Sequence, residues 1–183
     1  LLACAPPAHA HRSSIGRTDG LSIVSLPHGQ MTVIDNNRAA VFALAAKAVP
    51  ADETLRRLLN YAKIQYTFCL WGLIPGSVTD EANPFNGCAH AYLAATRALL
   101  NHLRDRPDAE PAGRSLADKI DRELLLEGTL VLCAYSGDPY NTADVIYPQW
   151  SAIPGHAASM LAAGGLLTIV AGAVSLLARP DRR

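Results

Sequence analysis

The sequence has no excess of charge of either sign. Its 16 lysine and arginine residues balance 16 aspartate and glutamate residues, so the formal net charge is zero at pH 7. Proteins that bind nucleic acid do so largely through surplus cationic groups that neutralise phosphates. We therefore expect no nucleic-acid partner for this chain.

Motifs of the common enzyme classes are also missing from the sequence. It contains no G-x-S-x-G nucleophile turn, no P-loop, no dinucleotide-binding glycine pattern, no H-E-x-x-H and no EF-hand loop. General acid–base pairs are assembled in space and leave no such motif. The sequence thus favours a protein that is not an enzyme, with a hydrolase of envelope polymers as an alternative.

Charged residues are absent from the twenty-two residues between Ala157 and Ala178, and three arginines follow within the last five positions. As a helix this segment would span roughly 33 Å, enough to cross the hydrocarbon core of a bilayer. Arginines flanking a span favour the cytoplasmic side. We therefore predict a transmembrane helix over residues 156–178 and a cytoplasmic basic tail over residues 179–183.

The first ten residues, LLACAPPAHA, resemble the end of a secretion signal. Ala8-His9-Ala10 has the small-x-small form of a cleavage site, so residues 1–10 are predicted to be a signal-peptide remnant. Lipidation of Cys4 in a lipoprotein box and an uncleaved segment are the alternatives. Each interpretation places residues 11–155 outside the cytoplasm, on the periplasmic side of a bacterial inner membrane.

The pattern of residues 11–155 predicts a mainly α fold: a small up-and-down helical bundle with an N-terminal β-hairpin, ahead of the single C-terminal transmembrane helix. The hairpin is expected from two short β-prone runs, 21–26 and 31–34. Helices are expected over about residues 39–48, 52–73, 86–103 and 115–135. The third of these carries apolar residues at steps of three and four, the spacing of one buried face: Cys88, Tyr92, Ala95, Leu99 and Leu103.

Three cysteines lie outside the signal region, and an oxidising compartment favours a structural disulfide. Cys88 and Cys133 form the preferred pair because both lie beside polar turns, while Cys69 is expected in the core; Cys69–Cys88 is the alternative bridge. A further hypothesis joins His90 to Cys69, Cys88 and Cys133 as a copper or zinc site, or as a redox thiol site. No Cys-x-x-Cys motif supports it, so no cofactor is expected.

Two similar turns flank the cysteines: Asn83-Pro84-Phe85-Asn86 and Asp138-Pro139-Tyr140-Asn141. Their aromatic rings could anchor a partner near the membrane. Tyr147 and Trp150 precede the predicted span and fit an interfacial aromatic belt.

Small residues lie on two adjacent strips of the predicted transmembrane helix, which would let another helix approach closely. One strip contains Gly165 and Gly172 with Ala158 and Ala162, and the other contains Gly164, Thr168, Ala171 and Ser175. The leading hypothesis is a membrane-anchored, non-catalytic accessory or assembly subunit of a larger membrane complex. Its expected partners are the lipid bilayer and other membrane subunits, and a copper/zinc or thiol-redox envelope protein is the alternative.

Overall fold

A computed structural model describes residues 20–48, 52–70, 72, 74–106, 111–127 and 139–177. The predicted signal remnant and basic tail, together with Cys4 and Cys133, lie outside these residues. The described part is mainly helical, with one two-stranded antiparallel pair and one apolar C-terminal helix. Its elements are β1 (Ser22–Ile23), α1 (His28–Lys47), α2 (Glu53–Phe68), α3 (Asn86–Asp105), α4 (Pro111–Glu127), β2 (Tyr140–Asn141), a 3-10 helix (Trp150–Gly155) and α5 (Ala157–Leu177).

Helix α3 is the centre of the head, the name used here for residues 20–155. It packs against α1, α2 and α4, and the predicted stripe from Cys88 to Leu103 is buried, as expected. Alanines fill much of its first half, and their small side chains let neighbouring helices approach on several sides. The largest fully buried side chains include Leu93 of α3 itself and Ile34, Tyr61 and Ile120 of the helices around it.

The predicted N-terminal hairpin is wrong. Residues Met31–Ile34 belong to α1, which begins at His28 directly after Pro27. Met31, Ile34, Val41 and Ala45 are buried at helical steps, so this run faces the core as part of a helix. The strand β1 pairs instead with β2, more than a hundred residues later, with Ile23 opposite Tyr140.

The predicted start of the second helix is confirmed, whereas the end of α2 and the start of α4 differ from the prediction, as does the start of α1 at His28 and not near residue 39. Asp52 caps α2, its Oδ1 accepting a hydrogen bond from the Leu55 N–H at 2.8 Å. Helix α2 ends at Phe68, because Leu70 adopts a φ of 58° and so leaves the helical conformation. Helix α4 begins at Pro111, four residues before the predicted cap at Ser115, since proline suits a first helical turn.

A buried glutamine ties the segment after β2 to α2. With its amide oriented to satisfy its surroundings, Gln65 donates to the Ile146 carbonyl at 2.9 Å and accepts from the Ile146 N–H at 2.8 Å. The Tyr61 hydroxyl donates to the same amide oxygen at 3.3 Å. Gln65 thus makes the two backbone hydrogen bonds with Ile146 that a neighbouring strand would otherwise make. These bonds attach the segment after β2, called the connector below, to α2.

Helix α5 leaves the head and has almost no cover from the rest of the described chain. Its segment Ala157–Ser175 is long and apolar enough to cross a membrane, and only 6% of the most apolar part of this segment is buried. A core helix of a water-soluble domain would be covered on most sides. Among the described residues, α5 is the one helix that meets the length and composition of a span.

Candidate functional site at the root of the apolar helix

The chain enters α5 beside a disulfide that joins α2 to α3. Cys69 follows the last residue of α2 and Cys88 lies in the first turn of α3, with Cα atoms 5.9 Å apart. This is the alternative pairing, and it corrects the preferred pairing of Cys88 with Cys133. The end of α2 and the start of α3 meet because the loop between them returns the chain to the same pole.

A small apolar cluster surrounds the disulfide, separate from the main core. Phe85 and Ala89 complete its buried part together with the two cysteines, and Ile74, Ile146 and Ile153 pack against it. We call these seven residues the root cluster. Since Ile153 belongs to the 3-10 helix directly before α5, the last structured turn before the apolar helix rests on the disulfide.

Hydrogen bonds fix the loop that precedes α3 and attach the connector to it. The Asn83 side chain accepts from the Phe85 N–H at 2.9 Å and donates to the Pro75 carbonyl at 3.3 Å. The Gln149 N–H donates to the Pro84 carbonyl at 2.8 Å. The turn predicted around Phe85 therefore has a structural role, because it holds the chain one residue before the 3-10 helix.

His156 connects the head to the first turn of α5. Its Nδ1 accepts from the Ser159 N–H at 3.2 Å, so Nε2 carries the hydrogen and donates to Asp80 Oδ2 at 3.0 Å. The imidazole thus caps α5 while its other nitrogen holds the loop before α3. The hydrogen bond from His156, helped by one from the Ala82 N–H, lowers the pKa of the Asp80 carboxyl below its ordinary value.

The aromatic residues proposed for partner binding divide into two groups. Phe85 and Tyr140 are only 3% and 4% exposed, so both rings pack inside the head and are not available for docking. Tyr147 and Trp150 are 58% and 51% exposed. Tyr147 contacts Phe68 with ring centroids 4.8 Å apart, and Trp150 contacts Phe85 at 5.7 Å, so each ring is fixed along one edge and open on the other.

The residues suggested for a metal or thiol site are not brought together by the described structure. Cys69 and Cys88 share a disulfide, which removes the thiolates that would bind a metal, and Cys133 lies outside the described residues. His90 is two residues from Cys88 on α3 and therefore projects from a different side of the helix. Among the described residues, no group of three or more His, Cys, Asp or Glu side chains could hold a metal ion.

His90 is instead part of a buried polar group near the start of α1. Its Nε2 lies 3.4 Å from both the Val78 carbonyl oxygen and the Asn86 amide nitrogen, and its ring contacts His28 edge-on at 5.0 Å. Burial lowers the pKa of the His90 imidazole to about 4. This burial and the low pKa suit a structural histidine.

The glycines of α5 lie in open space as far as the described residues are concerned. A Cβ built at Gly164, Gly165 or Gly172 would meet nothing within 4 Å. The hydroxyls of Thr168 and Ser175 bond to carbonyls of their own helix, at Gly165 and Ala171. No contact among the described residues requires these positions to be small.

Comparisons of this chain with protein-family models, with curated proteins and with solved structures find no match.

Proposed function

We propose that this protein is a single-pass membrane protein whose extracytoplasmic head acts as a non-catalytic accessory or assembly subunit of a larger membrane complex. The head would be an up-and-down bundle of α1–α4, and α5 its anchor. The observation that carries the proposal is the exposure of α5. An apolar helix of this length is unstable in water and requires lipid or other helices around it.

The orientation of the proposed anchor follows from charge. Three arginines follow α5 within six residues, while residues 137–156 before it contain no lysine or arginine. The positive-inside rule then assigns the C-terminal end to the cytoplasm and the head to the opposite side. A disulfide in the head agrees with an oxidising compartment.

The proposed role in assembly rests on the open glycines of α5. Glycine lowers helix stability, and no contact from the described part of the chain compensates for it. A partner helix packed on this side would supply the missing contacts, since small residues allow close backbone approach in membranes. Gly165 and Gly172 are seven residues apart and so lie within about 20° on the helix surface.

The experiment compares three leucine substitutions in the full chain, extracted from its native membranes in mild detergent and measured by native mass spectrometry. The wild-type protein should appear in a species heavier than its monomer. Gly165→Leu and Gly172→Leu should release the monomer. Ala163→Leu adds a similar side chain on roughly the opposite side of α5 and should leave the assembly intact. A monomeric wild-type protein, or equal behaviour of all three variants, would contradict the proposal.

A further inference from the structure

Three exposed apolar side chains, here called the rim, lie at the pole of the head where the chain enters α5. The rim consists of Leu70, Tyr147 and Trp150, which are 41%, 58% and 51% exposed. Leu70 directly follows Cys69 of the root cluster, Tyr147 contacts Phe68 of α2, and Trp150 contacts Phe85 of the root cluster. The three side chains therefore belong to the pole of the head from which α5 emerges.

This rim lies close to the start of the span. A 3-10 helix rises about 2.0 Å per residue and extended backbone up to about 3.6 Å, so the five steps to Gly155 and the two extended steps beyond it place Trp150 at most about 17 Å along the chain path from Ala157. The polar headgroup region of a bilayer occupies roughly 5–8 Å on each side of the hydrocarbon core. The large indole and phenol rings can bridge the remaining distance, and both are side chains that favour this boundary.

The rim is fixed relative to α5 by contacts on both sides of the 3-10 helix. Gln149 is bonded to Pro84 before it, Ile153 packs on the root cluster within it, and His156 is bonded to Asp80 after it. A flexible tether would let the head move away from the membrane. These contacts instead fix the position of the rim relative to α5, so the rim lies at the same depth whenever α5 spans the bilayer.

We propose that the rim of Leu70, Tyr147 and Trp150 is seated in the lipid headgroup region, so that the head rests on the outer leaflet at a fixed tilt. The inference rests on the proposed anchoring by α5 and adds the surface through which the head meets lipid. Glu81 is exposed and Asp80 is half-buried in the nearby loop, so attraction to anionic lipid is not its basis. The apolar faces of the rings supply the affinity.

The test measures the depth of single tryptophans in the full chain, reconstituted in phosphatidylcholine vesicles. The chain has two tryptophans, and Trp71→Phe leaves Trp150 as the only tryptophan, which is excited selectively at long wavelength. Lipids brominated near the headgroup end or near the chain ends report depth, and aqueous iodide reports exposure to water. Trp150 should be quenched most by the shallow bromines, and several-fold less by iodide than an exposed control.

Two reporters in the Trp71→Phe, Trp150→Phe background separate the possible failures. Glu53→Trp lies at the other end of α2, about 22 Å from Phe68, and should be quenched by iodide alone. Leu167→Trp lies at the middle of α5 and should be quenched by the deep bromines. If the deep bromines quench Leu167→Trp, while iodide quenches Trp150 and brominated lipid does not, then α5 spans the bilayer but the rim does not lie in the headgroup region.

Two other results would overturn the inference as well. Trp150 shielded from both iodide and brominated lipid would indicate that a second copy of the chain covers the rim. If Leu167→Trp were not quenched by brominated lipid, α5 would not span the bilayer, and the proposed function would fail together with the inference. Equal results in vesicles containing anionic lipid are expected, because the proposed contact is apolar.

Discussion

Removal of the Cys69–Cys88 disulfide should weaken the head by an amount that follows from its position in the chain. The bridge joins residues separated by 19 positions. In the chain-entropy estimate, a loop of this length constrains the unfolded chain by about 11 cal/mol/K, or ~3 kcal/mol at 25 °C. Both cysteines are fully buried, so Cys69→Ala with Cys88→Ala also loses sulfur packing against Phe85 and Ala89. We expect the free energy of unfolding to fall by about 3–4 kcal/mol.

The assay is urea unfolding of the full chain in detergent micelles, followed by near-ultraviolet circular dichroism. At a slope of about 2 kcal/mol per M, the loss corresponds to a midpoint roughly 1.5–2 M lower. Thiol reduction of the wild-type protein should give a similar shift. Cys133→Ala is the matched control and should leave the midpoint in place. A shift with Cys133→Ala as large as that of the double variant would refute the pairing and the reasoning built on it.

Two further perturbations test the interior of the head in the same assay. The pKa of the His90 imidazole is about 4 in the folded chain and 6.5 ordinarily. Between pH 6.5 and pH 4 the unfolded chain therefore binds a proton that the folded chain does not, so the stability of the folded chain falls as the pH drops through this range. The loss should reach about 3 kcal/mol, and His90→Phe should remove most of this slope; an unchanged slope in the variant would contradict the assignment. Gln65→Leu should cost about 2–3 kcal/mol, because it removes the hydrogen-bond partner of both the N–H and the carbonyl of the half-buried Ile146. A Gln65→Leu protein as stable as the wild type would show that this link carries no stability.

Local sequence patterns predicted the features that depend on neighbouring residues. The stripe from Cys88 to Leu103 indicated the buried face of α3, and Asp52 indicated the start of α2, because spacing and capping act within one or two turns. The uncharged run from Ala157 indicated a helix long enough to span a membrane. These predictions needed no information about distant contacts.

Features that depend on distant contacts were missed or misassigned. Met31–Ile34 is β-prone by composition, but its contacts with other helices favour a helix, and short apolar runs fit both structures. The partner of β1 lies more than a hundred residues away, so no hairpin turn could indicate it.

The candidate site itself was only partly predictable. Tyr147 and Trp150 were identified from their place before the span, and both are exposed there. The disulfide partner of Cys88 depends on where α2 ends. Helix α2 ends because Leu70 adopts a left-handed conformation, which a sequence pattern would predict only at a glycine. The bond between His156 and Asp80 joins residues 76 positions apart, and neither residue type nor spacing marks the pair.

Alkaline carbonate extraction of membranes tests whether α5 inserts the protein into the bilayer. Carbonate releases proteins bound at the surface and leaves those held by a transmembrane helix. The full chain should remain in the membrane pellet, while a chain ending at Gly155, which keeps the rim and the root cluster, should be released. Release of the full chain, or retention of the shortened one, would show that α5 is not what holds the protein in the bilayer.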